Sequence, residues 1–109
     1  MKESLTRCEE KIMDIIWESD VELNLPGIVE RVNRKYGFDW KPQTVSTFLR
    51  RLCDKNVVAS HRAGRTFFYQ PLISRDTYVQ KITIELCEMW FGGDADKMYA
   101  VAKNSSILY

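Results

Sequence analysis

The sequence predicts a mainly α protein carrying one small β-hairpin. Three observations predict it. Apolar residues recur at 3.6-residue spacing in several separate stretches. Two β-rich runs, Val57–Arg62 and Arg65–Gln70, flank an Ala63-Gly64 pair. Caps and breakers of helices fall between the periodic stretches, with no internal repeat, low-complexity tract or flexible linker. With 109 residues, 45% hydrophobic and 12% aromatic, the chain has enough apolar mass for one compact core.

The elements follow in order. Thr6 and Glu9 have the spacing of a capping box. Ile12, Met13, Ile16 and Trp17 then trace one face of a helix over about 6–19, with Glu9, Glu10, Lys11, Asp14 and Glu18 on a solvated face. Val21-Glu22-Leu23 reads as a short strand. Asn24 caps a second helix, Pro26 sits in its first turn where a missing N–H costs nothing, and Gly37 stops it. Ile28, Val29, Val32 and Tyr36 are its apolar face. Pro42 opens a third helix. At about 100° per residue, Val45, Phe48, Leu49 and Leu52 cluster inward. Gln43, Thr47, Arg50 and Asp54 lie opposite, flanked by Ser46 and Arg51. The hairpin turns at Gly64, with a four-residue loop from Arg62 to Arg65 as the alternative to a tight turn. Phe67, Phe68 and Tyr69 break alternation, so their faces are open. Ser74 caps a fourth helix with a wide apolar stripe, Gly92-Gly93 breaks it, and a short helix spans about 95–103. The tail after it is expected to fray.

Charge is sorted along the chain. Residues 31–75 hold ten basic groups against two acids, a net +8, whereas residues 1–30 carry −5 and residues 76–109 carry −2. A basic centre attracts polyanions even though the total is only +1. The apolar runs are too short to span a bilayer, and the N-terminus turns acidic too early for a signal peptide, so a cytoplasmic protein without membrane insertion is expected. Cys8, Cys53 and Cys87 are odd in number and widely spaced, as buried thiols in a reducing compartment would be. His61 is the only histidine. No nucleophile–base or metal-ligand spacing is present, so neither an enzyme, a metal site nor a cofactor is expected.

Helix, short strand, helix, helix, hairpin, helix is the order of a winged helix-turn-helix. In that fold the third helix can enter the DNA major groove, and the hairpin, or wing, lies along the backbone. Gln43, Thr47 and Arg50 are the candidate base-facing residues. Lys41, Arg51, Lys55, Arg62 and Arg65 are the candidate phosphate contacts. The alternatives are a winged-helix regulator controlled by a small ligand, and a winged-helix protein-interaction module with no DNA role. The surplus apolar surface of the C-terminal helices predicts a homodimer, with Tyr78, Ile82, Leu86, Met89, Trp90, Phe91 and Met98 as interface candidates. The expected division is residues 1–73 for DNA binding and 74–109 for dimerisation.

The runs WKPQTVSTFLRRLCDKNVV, HRAGRTFFYQPLISRDTYV and FGG, with the opening LTRCEEKIMDIIWE, resemble the penicillinase-repressor family (the BlaI and MecI repressors and the copper-responsive CopY branch). The resemblance covers about residues 5–93. It implies a winged-helix domain, a dimer through C-terminal helices, and repression at a palindromic double-stranded operator. It places the base-contacting start of the third helix on Gln43, Thr44, Ser46 and Thr47 and the wing on Arg62 to Arg65. In one branch it implies a membrane sensor protease as partner. Two departures stand out. Less dimerisation helix follows Gly92-Gly93 than relatives carry, which implies a weaker dimer, a rebuilt interface or a trimmed chain. The C-terminus also lacks a cysteine-pair metal motif, which disfavours the copper branch.

Overall fold

The computed structural model of the chain describes residues 4–104. The expectation for the tail after Asn104 therefore lies outside the described residues. The order is α1 (Arg7–Glu18), β1 (Leu23–Asn24), α2 (Leu25–Tyr36), α3 (Pro42–Asp54), β2 (Val58–Ala63), β3 (Thr66–Pro71), α4 (Arg75–Phe91) and α5 (Ala95–Lys103). This is the mainly α, winged helix-turn-helix order that the sequence predicts, with helices after the wing. The chain divides into two compact units, Met1–Ser74 and Arg75–Tyr109.

In the first unit, α1, α2 and α3 pack against one another and supply the core. Ile12 and Met13 of α1, Ile28 and Val32 of α2, and Val45, Leu49 and Leu52 of α3 are buried there, with Leu23, Val57 and Val58 from the strand side. Each such aliphatic side chain contributes about 1.5–3 kcal/mol by leaving water. The three strands form one antiparallel sheet in the order β1-β3-β2. Leu23 pairs with Tyr69, and β2 pairs with β3 from Val58↔Pro71 out to Ala63↔Thr66. The sheet's short strand starts two residues later than the sequence suggested, because Asn24 both ends the strand and caps α2 by accepting from Gly27 N at 3.0 Å. The hairpin is tighter than the four-residue alternative. Ala63 and Thr66 close it, leaving Gly64 and Arg65 as the turn, and Gly64 takes φ 66° as a two-residue hairpin requires.

α3 is stopped by Asn56, the residue at which the sequence ends this helix. Asn56 has φ 61°, the left-handed residue after the helix. Its N–H reaches Cys53 O at 3.0 Å, and Val57 N–H reaches Leu52 O at 3.2 Å, the paired bonds of a Schellman cap. The chain is thereby turned directly into β2.

The capping box at α1 is present, with Glu9 N donating to Thr6 Oγ1 at 3.1 Å and Thr6 N donating to Glu9 Oε1 at 2.8 Å. Its consequence corrects the solvated face assigned to Glu9. The side chain is fully buried (0% exposed), and Lys55 Nζ donates to Glu9 Oε1 at 2.6 Å. The box bends the carboxylate back over the helix start, where Lys55 arrives from the end of α3. Burial pushes the Glu9 carboxyl up, but the Lys55 and Thr6 hydrogen bonds outweigh it and hold the group below its ordinary value.

The second unit pairs α4 with α5. Asp94 caps α5 by accepting from Asp96 N and Lys97 N at 3.0 and 3.1 Å. Met89 and Trp90 are 76% and 69% exposed, and Val79, Ile84 and Leu86 are also exposed. Tyr78 is corrected: at 4% exposure it is already buried within one chain and has no surface to offer a partner. Among the described residues no helix is long and apolar enough to cross a membrane.

A depressed carboxyl stabilises the fold above the ordinary glutamate range and loses that contribution as pH falls through its lowered value. Glu9→Gln is therefore expected to lose about 2–3 kcal/mol in urea unfolding at neutral pH, since it strips Lys55 of its charge partner. The gap between the two proteins is expected to shrink on acidification below the ordinary glutamate range. A constant gap down to strongly acid pH would contradict the charged pairing.

Candidate nucleic-acid interface

The interface is built on what α3 does not bury. Val45, Leu49 and Leu52 fix the rotation of the helix by facing the core. The opposite face, with Gln43, Thr44, Ser46, Arg50, Arg51 and Asp54, is exposed, and Thr47 is half-buried. Thr47 Oγ1 donates to Gln43 O at 3.0 Å, so its oxygen lone pairs and methyl group are what it offers outward. Arg51 lies over the Phe48 ring with 6.0 Å to the centroid.

The start of α3 is held from α2. Asn33 clamps the backbone of Trp40 on both sides: Asn33 Nδ2 donates to Trp40 O at 3.0 Å, and Trp40 N donates to Asn33 Oδ1 at 2.9 Å. A run of rings follows, Tyr36 to Phe38 at 5.6 Å, Phe38 to Trp40 at 4.7 Å, and Trp40 to Phe48 at 5.2 Å between centroids. Gly37, at φ 69°, lets the chain leave α2 in the direction the stack requires. The turn between the helices is thus a packed joint rather than a free loop.

Lys41 stands at the cap position of α3 but makes no side-chain cap, and Pro42 follows with no N–H to satisfy. The first amides of α3, at Gln43 and Thr44, keep no side-chain acceptor and carry the positive end of the helix dipole. That feature was missed in the sequence, although a Pro preceded by a residue that cannot cap is its signal. Lys41 pairs with Asp39 at 3.4 Å with both side chains largely in water, a contact that a phosphate can replace at little cost.

The wing carries two further cations. Arg65 occupies the turn and is exposed, and Arg62 is exposed on β2 with its Nε donating to Gly64 O at 2.9 Å. His61, on the other face, sits beside Glu22 and stacks on Phe68 with 6.0 Å between ring centroids.

The charge sorting resolves into two groups. Arg34 pairs with Glu30 at 2.7 Å, and Lys35 bridges Asp14, at 2.7 Å, and Glu18. The hydrogen bonds that Lys35 donates to Asp14 and then Glu18 push its ammonium above its ordinary value. Lys35 is thus matched by the acidic α1, and Arg34 by a glutamate of its own helix. Lys55 is the correction among the expected phosphate contacts. Its side chain is 13% exposed, and its ammonium is engaged by Glu9 and by Ser4 O at 2.9 Å. It therefore serves the fold. Lys41, Arg50, Arg51, Arg62 and Arg65 remain as the cations displayed on α3 and the wing.

Among the described residues no three His, Cys, Asp or Glu side chains gather where they could hold a metal ion. The Cys53 thiol is pushed up by burial and then by the Asp54 carboxylate.

The sequence matches the family model described as penicillinase repressor over residues 5–106. It is similar to the penicillinase repressor of Bacillus licheniformis, at 24% identity over 94 residues that cover 86% of this chain and 71% of that protein. The fold is similar to the solution structure of the DNA-binding domain of the repressor BlaI. That likeness has a TM-score of 0.59 and 29% identity, and covers 72% of this chain and 94% of that one. It is also similar to monomeric Bacillus licheniformis BlaI solved in complex with the blaP half-operator, with a TM-score of 0.58, 27% identity, and coverage of 72% and 92%. By fold, by the outward polar face of α3 and by sequence over nearly its whole length, this chain belongs to the penicillinase repressor family.

Proposed function

We propose that this protein represses transcription by binding duplex operator DNA, with α3 in the major groove and the wing on the flanking backbone. The observation that carries the reading is the division of α3 into a buried aliphatic face and an outward face of Gln43, Thr44, Ser46, Thr47 and Arg50. Amides, hydroxyls and a guanidinium match the donors and acceptors of base edges. Lys41, Arg51, Arg62 and Arg65 surround that face and suit phosphates, as do the uncapped amides at the start of α3. The related BlaI monomer has been captured on a half-operator, which supports one winged-helix unit per half-site.

The second unit supplies the pairing in this reading. Leu86, Met89 and Trp90 are exposed, and Ile82, Phe91 and Met98 are half-exposed. A two-fold contact there would tie two α3 helices about 34–36 Å apart, matching a palindrome, and would convert the second half-site into an intramolecular event. Such a repressor works where the chromosome is, in the cytoplasm.

Binding to duplex DNA is expected to be steeply salt-dependent. If a dimer neutralises about 6–10 phosphates, log K falls with a slope of about −5 to −9 against log salt. A slope near zero in fluorescence anisotropy would contradict the reading.

Thr47→Ala and Arg50→Ala are expected to reduce discrimination between operator and mixed-sequence duplex by about 1–3 kcal/mol per lost base contact, with the melting temperature nearly unchanged. Equal loss on every sequence would move both residues to the phosphates.

Removal of residues 93–109 is expected to weaken self-association and operator affinity together, read by sedimentation and by titration. A full-length chain that stays monomeric at micromolar concentration with operator present would overturn the dimer.

A further inference from the structure

The tip of the wing holds a side chain that no core needs. Phe67 is 51% exposed, an unusual place for a large aromatic in a small sheet. It is the register partner of Arg62, so the two side chains stand on the same face of the hairpin. The Arg62 guanidinium lies over the Phe67 ring, 5.9 Å from its centroid, while its Nε donates to Gly64 O at 2.9 Å. One contact fixes the plane of the guanidinium and the other fixes its position along the strand. With Nε engaged by the turn, the Nη1 and Nη2 hydrogens are the ones a phosphate can meet in bidentate fashion.

We propose that Phe67 is a positioning residue for DNA binding: it holds Arg62 ordered in the free protein, so that the wing meets the backbone with its arginine already in place. A long exposed arginine ordinarily loses its rotamer freedom on binding. Here part of that loss is taken on folding, by stacking and by the turn carbonyl. The inference rests on the DNA-binding reading above and adds a residue to it that carries no charge and makes no demand on the core. Among the described residues no such support is seen for Arg65, at the turn itself.

A double-mutant cycle on the full chain tests it, using a mixed-sequence DNA duplex as the probe. Arg62→Ala is expected to lower affinity and to flatten the salt slope by about one unit per copy. Phe67→Ala is expected to lower affinity about three- to tenfold while leaving the salt slope unchanged, because the charge persists and only its order is lost. The double variant is expected to bind no more weakly than Arg62→Ala alone. Phe67→Tyr restores the ring face and is expected to bind as the unaltered chain does. Phe67→Leu keeps apolar bulk on the strand without a π face, so its loss of affinity separates stacking from any loosening of the hairpin. Unchanged affinity in both Phe67→Ala and Phe67→Leu would overturn the proposal. So would additive losses in the double variant, which would mean that Phe67 touches DNA itself or merely supports the strand. If Arg62→Ala binds normally while Lys41→Ala is weakened, the wing's role falls and the α3 reading stands. If neither is weakened, the DNA-binding reading itself falls.

Discussion

The burial of one face of α3 is the constraint on which the other features depend. Val45, Leu49 and Leu52 close the three-helix core together with Ile12, Ile28 and Val32. A helix has one angular degree of freedom in its seat, and three buried positions at helical spacing remove it. Once it is removed, Gln43, Ser46 and Arg50 must point to water. The polar face is thus presented by the core, and its own residues contribute little to holding it there.

Rotation alone does not place a helix along its axis, and the two ends of α3 are held by different chemistry. At its start, Asn33 and the aromatic run from Tyr36 to Phe48 set the joint with α2. At its end, Asn56 closes the cap and Lys55 joins the buried Glu9 of α1. The second anchor uses a cation that a surface count would assign to DNA. Lys35 is likewise spent between helices, on Asp14 and Glu18 of α1, and Arg34 is paired with Glu30 within α2. The positive field that reaches solvent therefore belongs to a smaller set, concentrated on α3 and the wing, which sharpens rather than weakens the case for an anion partner there.

Local chemistry was legible in the sequence wherever a residue acts on its near neighbours. The Thr6–Glu9 box, the Asn24 cap, Gly37, the opening of α3 at Pro42 and the span of α5 could all be read, because each depends on groups within four residues. The inward and outward faces of α3 followed from periodicity alone. What escaped needed the tertiary fold. Glu9 and Lys55 are 46 positions apart, and only packing brings a buried carboxylate to the end of α3. The capping box was itself a warning, since a glutamate bent back over a helix start is not free to face water. Phe67, Phe68 and Tyr69 could not be sorted, because three aromatics in a row satisfy either register. Pairing with β2 and β1 decides it, leaving Phe67 under Arg62 and Phe68 beside His61. Tyr78 lies on a helix whose apolar residues run around much of its surface, so periodicity did not say which would be buried.

The central claim is that α3 and the wing form one DNA-facing surface while the α1–α2 side does not. Backbone-amide NMR titration with duplex DNA tests it residue by residue. Shifts are expected to gather on the amides of Gln43 through Arg51 and of Arg62 through Phe67, with the largest at the uncapped start of α3. The amides around Glu18, Arg31 and Arg34 are expected to stay still. Shifts centred on that α1–α2 side, with α3 unmoved, would contradict the account.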